Sequence, residues 1–227
     1  MSTLGKLSIL MLLSTTVWAL SLSDISNTDA TSGLKEALSQ GASKAIGSLG
    51  KDGGFLGNPK VKIPLPGALA KGEKMLRMAG MGKQADELVV AMNRAAEAAV
   101  PEAKPLVASA IKSMTVEDAK NILTGGDDSV TQFFKRKTSA QLTEKFLPIV
   151  KKYTAQAGLA QKYDQLAGKG AQLGLVKQED AQIDSYVTRS ALDGLYKMIA
   201  AEEKSIRSNP MAAVGSMAQK VFGAMNQ

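Results

Sequence analysis

The sequence contains no cysteine and no histidine. The first absence excludes disulfides and thiolate nucleophiles. The second removes the imidazole base and, with cysteine gone, most zinc, copper and haem ligation. Aromatic residues make up only 4% of the chain, and Trp18 is its single tryptophan. Valine, isoleucine and threonine, the strand formers, are thin, whereas alanine, leucine, methionine, lysine and glutamine are abundant. With 227 residues and a hydrophobic fraction of 44%, the chain is long enough to bury a real core. The expected fold class is all-α: a multi-helix bundle packed closely through small side chains.

No apolar run reaches the roughly 20 residues of a bilayer span. The longest, Leu7 to Leu20, follows Lys6 and leads to two small-residue exits, Val17-Trp18-Ala19 and Ala19-Leu20-Ser21. That arrangement reads as a secretory signal peptide over residues 1–21, cleaved after Ala19 or Ser21, in preference to a retained anchor. No cysteine follows the apolar run, so a lipoprotein anchor is not expected, and the expected location is the periplasm. Removing the segment takes away Lys6 and leaves 27 basic against 21 acidic residues, a net charge of +6. The excess is lysine, spread along the chain, which suits solubility beside an anionic membrane or polymer. Nucleic-acid readers cluster arginine instead, so no nucleic-acid partner is expected.

Residues 22–32 are polar and read as a flexible lead-in to a single helical domain over residues 33–225. Leu34, Leu38, Ala42, Ala45, Ile46 and Leu49 recur at helical spacing. Lys51 to Pro66 is the main break, and Val61, Ile63 and Leu65 alternate there, predicting one short extended or β-like arm near residues 60–65. Helices are then predicted from Pro66 to Gly80, Gln84 to Val100 and Pro101 to Met114. Thr115-Val116-Glu117-Asp118 carries a capping signal for a short helix ending at Gly125-Gly126. Val130 to Arg136 and Ser139 to Tyr153 read as two segments, the second bent by Pro148. Leu159 to Leu175 is interrupted by glycine; Asp180 to Arg207 is strongly periodic; a last helix follows Asn209-Pro210.

No motif carries recognisable chemistry, so no catalytic residue, metal or cofactor is expected. Gly80-Met81-Gly82-Lys83 lacks the spacing of a phosphate loop and reads as a helix end. The Ser-x-x-Lys pairs occur about as often as chance predicts. The carboxylate pairs Glu179/Asp180 and Asp127/Asp128 sit where helices begin, which the helix dipole explains. Three places stand out as candidates for partner or ligand binding. Asn93, Arg94 and Glu97 share a stretch in which Asn93 and Glu97 lie on one helix face; an internal polar pair is the favoured reading. Phe133-Phe134 followed by Lys135-Arg136-Lys137 joins aromatics to a basic cluster, either docking at an anionic membrane face or, in the favoured reading, core phenylalanines beside a solvated helix end. The extended Lys51–Pro66 arm is the third, either a binding loop or, in the favoured reading, a structural connection; Glu202 and Arg207, on the strongest helix, where Glu203 pairs with Arg207 at helical spacing, complete the candidate residues.

Taken in order, Gly33-Leu34-Lys35-Glu36-Ala37-Leu38, Ile63-Pro64-Leu65-Pro66, Asn93-Arg94-Ala95-Ala96-Glu97, Ile122-Leu123-Thr124-Gly125-Gly126, Tyr186-Val187-Thr188 with Ala191-Leu192-Asp193-Gly194-Leu195, and Ile206-Arg207-Ser208-Asn209-Pro210 form a co-linear series. The series resembles a family of exported bacterial proteins, common in proteobacteria, classed as a domain of unknown function. The resemblance implies an exported helical domain and transfers no activity, cofactor or site residue. The resulting expectation is a non-enzymatic envelope protein that binds a partner protein or an anionic or apolar envelope component, with peripheral membrane contact. The alternatives are a hydrolase working through Asp, Glu, Ser or Lys, whose site would gather Asn93, Arg94, Glu97, Glu202 or Arg207 in one cleft, and a scaffold tethered to the inner membrane by an uncut N-terminus.

Overall fold

A computed structural model describes residues 26–126, 128–172, 177, 180–209 and 215–225. The predicted signal peptide, the first part of the lead-in, and residues 173–176 and 210–214 lie outside the described residues. Four long helices carry the core: α1 (Asn27–Leu49), α4 (Gly82–Ala99), α7 (Ser129–Thr154) and α9 (Ile183–Ser208). Helix α9 packs on α1 and α7, and α4 packs on α7. The short helices α2 (Gly67–Lys71), α3 (Glu73–Met78), α5 (Lys104–Lys112), α6 (Val116–Leu123), α8 (Gly158–Gln172) and α10 (Ser216–Met225) fill in around them. The all-α bundle expected from composition is what forms, and no described helix is long and apolar enough to cross a membrane.

The boundary expected at Leu34 is corrected by two turns. Helix α1 begins at Asn27, because the Ser26 hydroxyl accepts the Asp29 N–H at 3.0 Å and caps its exposed end. Polar residues there serve as a cap and first turn, where such side chains are favoured, and do not form a lead-in. Helix α10 covers the start of α1 so closely that a Cβ on Gly33 would lie 2.7 Å from the Met217 carbonyl oxygen. Only glycine permits that approach.

Helix α7 is also continuous where two segments were expected. At the supposed join, Thr138 is buried and donates to the Phe134 carbonyl at 2.7 Å, so its hydroxyl satisfies itself inside the helix. The opposite correction applies between Pro66 and Gly80, where Gly72 divides one expected helix into α2 and α3. The capping box at α6 forms as read: the Asp118 N–H donates to Thr115 Oγ1 at 3.0 Å, and the Thr115 N–H donates to Asp118 Oδ2 at 3.2 Å.

The arm near residues 60–65 is extended. Val61, Ile63 and Leu65 are buried while Lys62 and Pro64 are exposed, the alternation that the sequence carried. It pairs with no strand among the described residues. Its backbone groups are met by side chains of α4 and α9 instead.

Candidate functional site

Asn93 and Glu97 stand one turn apart on α4, beneath the arm. The Asn93 amide reproduces one rung of a β-ladder: Oδ1 accepts the Ile63 N–H at 2.9 Å and Nδ2 donates to the Ile63 carbonyl at 2.8 Å. Glu97 Oε1 accepts the N–H groups of Phe55 and Leu56, both at 3.0 Å. Its other oxygen pairs with Arg94 at 2.7 Å, and Arg94 reaches Asp52 at 3.1 Å. Burial pushes the Glu97 carboxyl up, but the two backbone donors and the Arg94 guanidinium outweigh it and hold the group below the ordinary carboxylate range. Two further bonds clamp the arm from α9: Tyr186 donates to the Pro64 carbonyl at 3.1 Å and Lys197 to the Lys60 carbonyl at 3.0 Å. The Asn93–Glu97 pair thus fastens the chain to itself.

Glu202, Glu203 and Arg207 form a separate group near the end of α9. Glu203 is buried and accepts from Arg207 Nη2 at 2.6 Å; Arg207 Nη1 also donates to the Leu123 carbonyl at 3.2 Å. Arg207 therefore satisfies a carbonyl left open at the end of α6. Glu202 pairs with Lys44 of α1 at 2.6 Å. This group shares no hydrogen-bond partner with the Asn93–Glu97 group. Among the described residues, no cluster of three or more carboxylates stands close enough to hold a metal ion.

The docking reading of Phe133 and Phe134 is corrected by their burial. Both rings are fully enclosed and meet edge to face with centroids 5.2 Å apart. The basic run beside them is thereby separated from any exposed aromatic. Lys135 pairs with Asp193 of α9 at 2.8 Å, and Lys137 pairs with Asp118 at 3.5 Å, while Arg136 is exposed.

A partly open groove lies along α7 and α9. The two helices run antiparallel, joined by the Thr154–Asp184 hydrogen bond towards one end and by the Lys135–Asp193 pair and a 2.9 Å Thr138–Tyr196 hydrogen bond towards the other. Between them is a groove of about 340 Å³. Helix α7 contributes Lys135, Ser139, Thr143 and Leu147, each four residues on from the last. Helix α9 contributes Ser185, Thr188, Arg189, Leu192, Asp193 and Tyr196. Two leucines and five hydroxyls thus share a surface with charged groups near both ends, and the volume falls within the range of small-molecule sites. Burial pushes the Tyr196 phenol upward, against the opposing pull of its bond to Thr138, so that hydroxyl stays protonated in the neutral range.

Thr188 sets this groove apart. It is 2% exposed, and its hydroxyl is the one buried side-chain polar atom without a partner among the described residues. Other helical threonines do not behave this way. Thr31, Thr138, Thr143 and Thr154 each donate to the carbonyl four residues back. Leaving a buried hydroxyl unsatisfied costs about 1–3 kcal/mol, so the position is maintained against a real penalty. A second hollow, between α4 and the end of α7, is larger at about 490 Å³ and exposes Val90 and Tyr153, but it is more open and, among the described residues, holds no buried unpartnered polar atom.

Of the ten residues lining the groove, sequence reasoning named only Lys135 as a binding candidate, while Thr188, Leu192 and Asp193 entered only in the series that carries the family resemblance. The missed signal was the polar row at four-residue spacing on α7, which resembles any solvated helix face until α9 is laid beside it. Neither the curated proteins nor the solved structures contain a match to this chain. A family model spans residues 24–223, and on that ground the chain belongs to the family described as Protein of unknown function (DUF4197).

Proposed function

We propose that this is an exported, non-enzymatic binding protein of the cell envelope, and that its ligand lies in the groove between α7 and α9. The observation that carries the reading is Thr188, which lines the groove while its buried hydroxyl has no hydrogen-bond partner among the described residues. A binding site is a place where such a deficit is filled when the ligand arrives. The side chains that a hydrolase would have needed support this choice. Asn93 and Glu97 hold the arm, Arg94 pairs with Glu97 and Asp52, Glu202 pairs with Lys44, and Arg207 binds Glu203 and the Leu123 carbonyl at the end of α6. The export part of the proposal rests on the apolar run of residues 7–20 behind Lys6.

Native mass spectrometry of the protein recovered from periplasm tests both parts. The polypeptide mass is expected to match cleavage after Ala19 or Ser21, with loss of Trp18. A small-molecule adduct is expected on the natural chain and is lost in Thr143→Trp, which fills the groove from its exposed rim. An uncut N-terminus overturns export. An adduct equally abundant in Thr143→Trp, or absent from the natural chain, overturns the groove as the binding site.

A further inference from the structure

We infer that α2 and α3 present a contact face for an anionic lipid bilayer, with Met75 and Met78 entering the headgroup layer and Lys71 and Lys74 meeting the lipid phosphates; this stands apart from the groove. Exposure is the first argument. Helix α3 packs on α4 yet buries none of its own residues. Met75 is 72% exposed and Met78 is 74% exposed, whereas the next large apolar side chain among the described residues, Val116, is 44% exposed. Single exposed apolar residues are ordinary, but these two stand neighbouring on one turn of one helix. The same stretch does turn other apolar residues inward, since Leu69 and Met81 pack against the core.

Charge selects the partner. Only Gly72 separates α2 from α3, and across it Lys71, Lys74, Met75 and Met78 keep the spacing of one helical face, all four exposed. No carboxylate falls on that spacing. Glu73 belongs to the opposite side of the helix, where Arg77 binds it at 2.9 Å and reaches Asp86 of α4 at 2.7 Å. Lys83 lies 3.8 Å from Glu87. Lys71 and Lys74 have no ion pair among the described residues, so their charge stands beside the methionines uncompensated. A stable protein partner takes roughly 20–30 residues from each side, far more than this exposed turn offers. A bilayer demands no matching shape: lysine stems lie along its surface with their heads at the phosphates, and the flexible methionine side chain adapts to a fluid interior.

Fluorescence of Met78→Trp in the mature chain tests this, because residues 22–227 hold no tryptophan of their own. With vesicles of equal parts phosphatidylglycerol and phosphatidylcholine the emission is expected to move to the blue, and with phosphatidylcholine alone to stay unchanged. Co-sedimentation of the natural chain with the mixed vesicles is expected to weaken as salt is added. Met75→Ser with Met78→Ser, and separately Lys71→Gln with Lys74→Gln, are each expected to lower the partition coefficient at least about tenfold. All four positions are exposed, so the fold is retained, and circular dichroism checks it. Lys151→Gln with Lys152→Gln removes the same charge from an exposed stretch of α7 and is expected to change binding by less than about twofold. If this control pair weakens sedimentation as much as the Lys71 and Lys74 pair, or the serine variant sediments like the natural chain, the face is overturned. Equal binding to phosphatidylcholine alone overturns the anionic partner. Sedimentation with neither vesicle, or a blue shift that grows with protein concentration in the absence of lipid and so marks a second copy, overturns the bilayer.

Discussion

Replacing Thr188 with valine tests the unpartnered hydroxyl without any ligand. The two side chains have nearly the same shape, and their helix propensities are similar, so the change isolates one polar atom. Thr188 is 2% exposed, and its hydroxyl has no hydrogen-bond partner among the described residues. Removing an unsatisfied buried hydroxyl recovers about 1–3 kcal/mol of desolvation penalty. The groove is open along one side, which puts the expected gain at the lower end, about 1–1.5 kcal/mol. For a domain of this size that corresponds to a rise in Tm of about 2–6 °C.

Thr138→Val is the matched control. Its hydroxyl donates to the Phe134 carbonyl and stands 2.9 Å from the Tyr196 hydroxyl, so the same substitution strips a partner from a buried phenol. The expected effect is a loss of about 1–2 kcal/mol, opposite in sign to Thr188→Val. Urea unfolding followed by far-ultraviolet circular dichroism measures both, with an unchanged slope confirming that neither variant alters the surface exposed on unfolding. If both variants lose stability to a similar extent, a water already satisfies Thr188, and the argument that the groove awaits a ligand fails.

Other positions give separate tests. Asn93→Ala leaves the Ile63 N–H and carbonyl without their partners and is expected to cost about 2–4 kcal/mol, with new proteolytic cuts between Lys51 and Pro66 as the sign that the arm has lifted. Gly194→Ala would place a Cβ 2.8 Å from the buried Phe55 ring, and urea unfolding should register a loss of about 1–3 kcal/mol from overpacking. Glu97 has a lowered folded pKa, so its contribution is present above its unfolded value near 4.5 and is lost as pH falls through the lower folded value. Stability measured from pH 6 down to pH 2 should therefore fall less steeply in Glu97→Gln than in the natural chain, although the variant is less stable at neutral pH. Arg207→Ala removes the guanidinium partner of the buried Glu203 carboxylate and is expected to cost about 3–5 kcal/mol in thermal or urea unfolding.

The bundle was legible because its signals are local. Helical spacing from Leu34 to Leu49, the Thr115–Asp118 capping box and the alternation at Val61, Ile63 and Leu65 each depend on neighbours within a few positions. What escaped depends on contacts between distant segments. Asn209-Pro210 can be read from sequence as a stop, and the Ser26 cap is a local sign of where α1 starts, but the cover over Gly33 that holds its first turns comes from Met217 and Val221. The join before Ser139 looked like a break because a serine can open a helix, whereas Thr138 there is buried and bonded to Tyr196, 58 residues away. The groove was hidden for the same reason: Ser139, Thr143 and Ser185 are unremarkable on single helices and become a wall only when α7 and α9 run antiparallel.

Asn93 and Glu97 also show why polar residues in an apolar stripe are weak pointers to function. Both are buried, both are charged or strongly polar, and the Glu97 pKa is displaced, which together are the usual marks of a working site. Yet each oxygen and nitrogen of the pair is engaged with the chain's own backbone or with Arg94, so the displacement measures how well the arm is held. Thr188 has the reverse character: a modest side chain with no titration and no charge, distinguished only by an absent bond. In a bundle where other buried hydroxyls find a carbonyl or a neighbouring side chain, the deficit is the more informative feature, because folding alone gives no reason to keep it. A valine would fit that position and stabilise the bundle, and the proposed ligand is what would account for a threonine there.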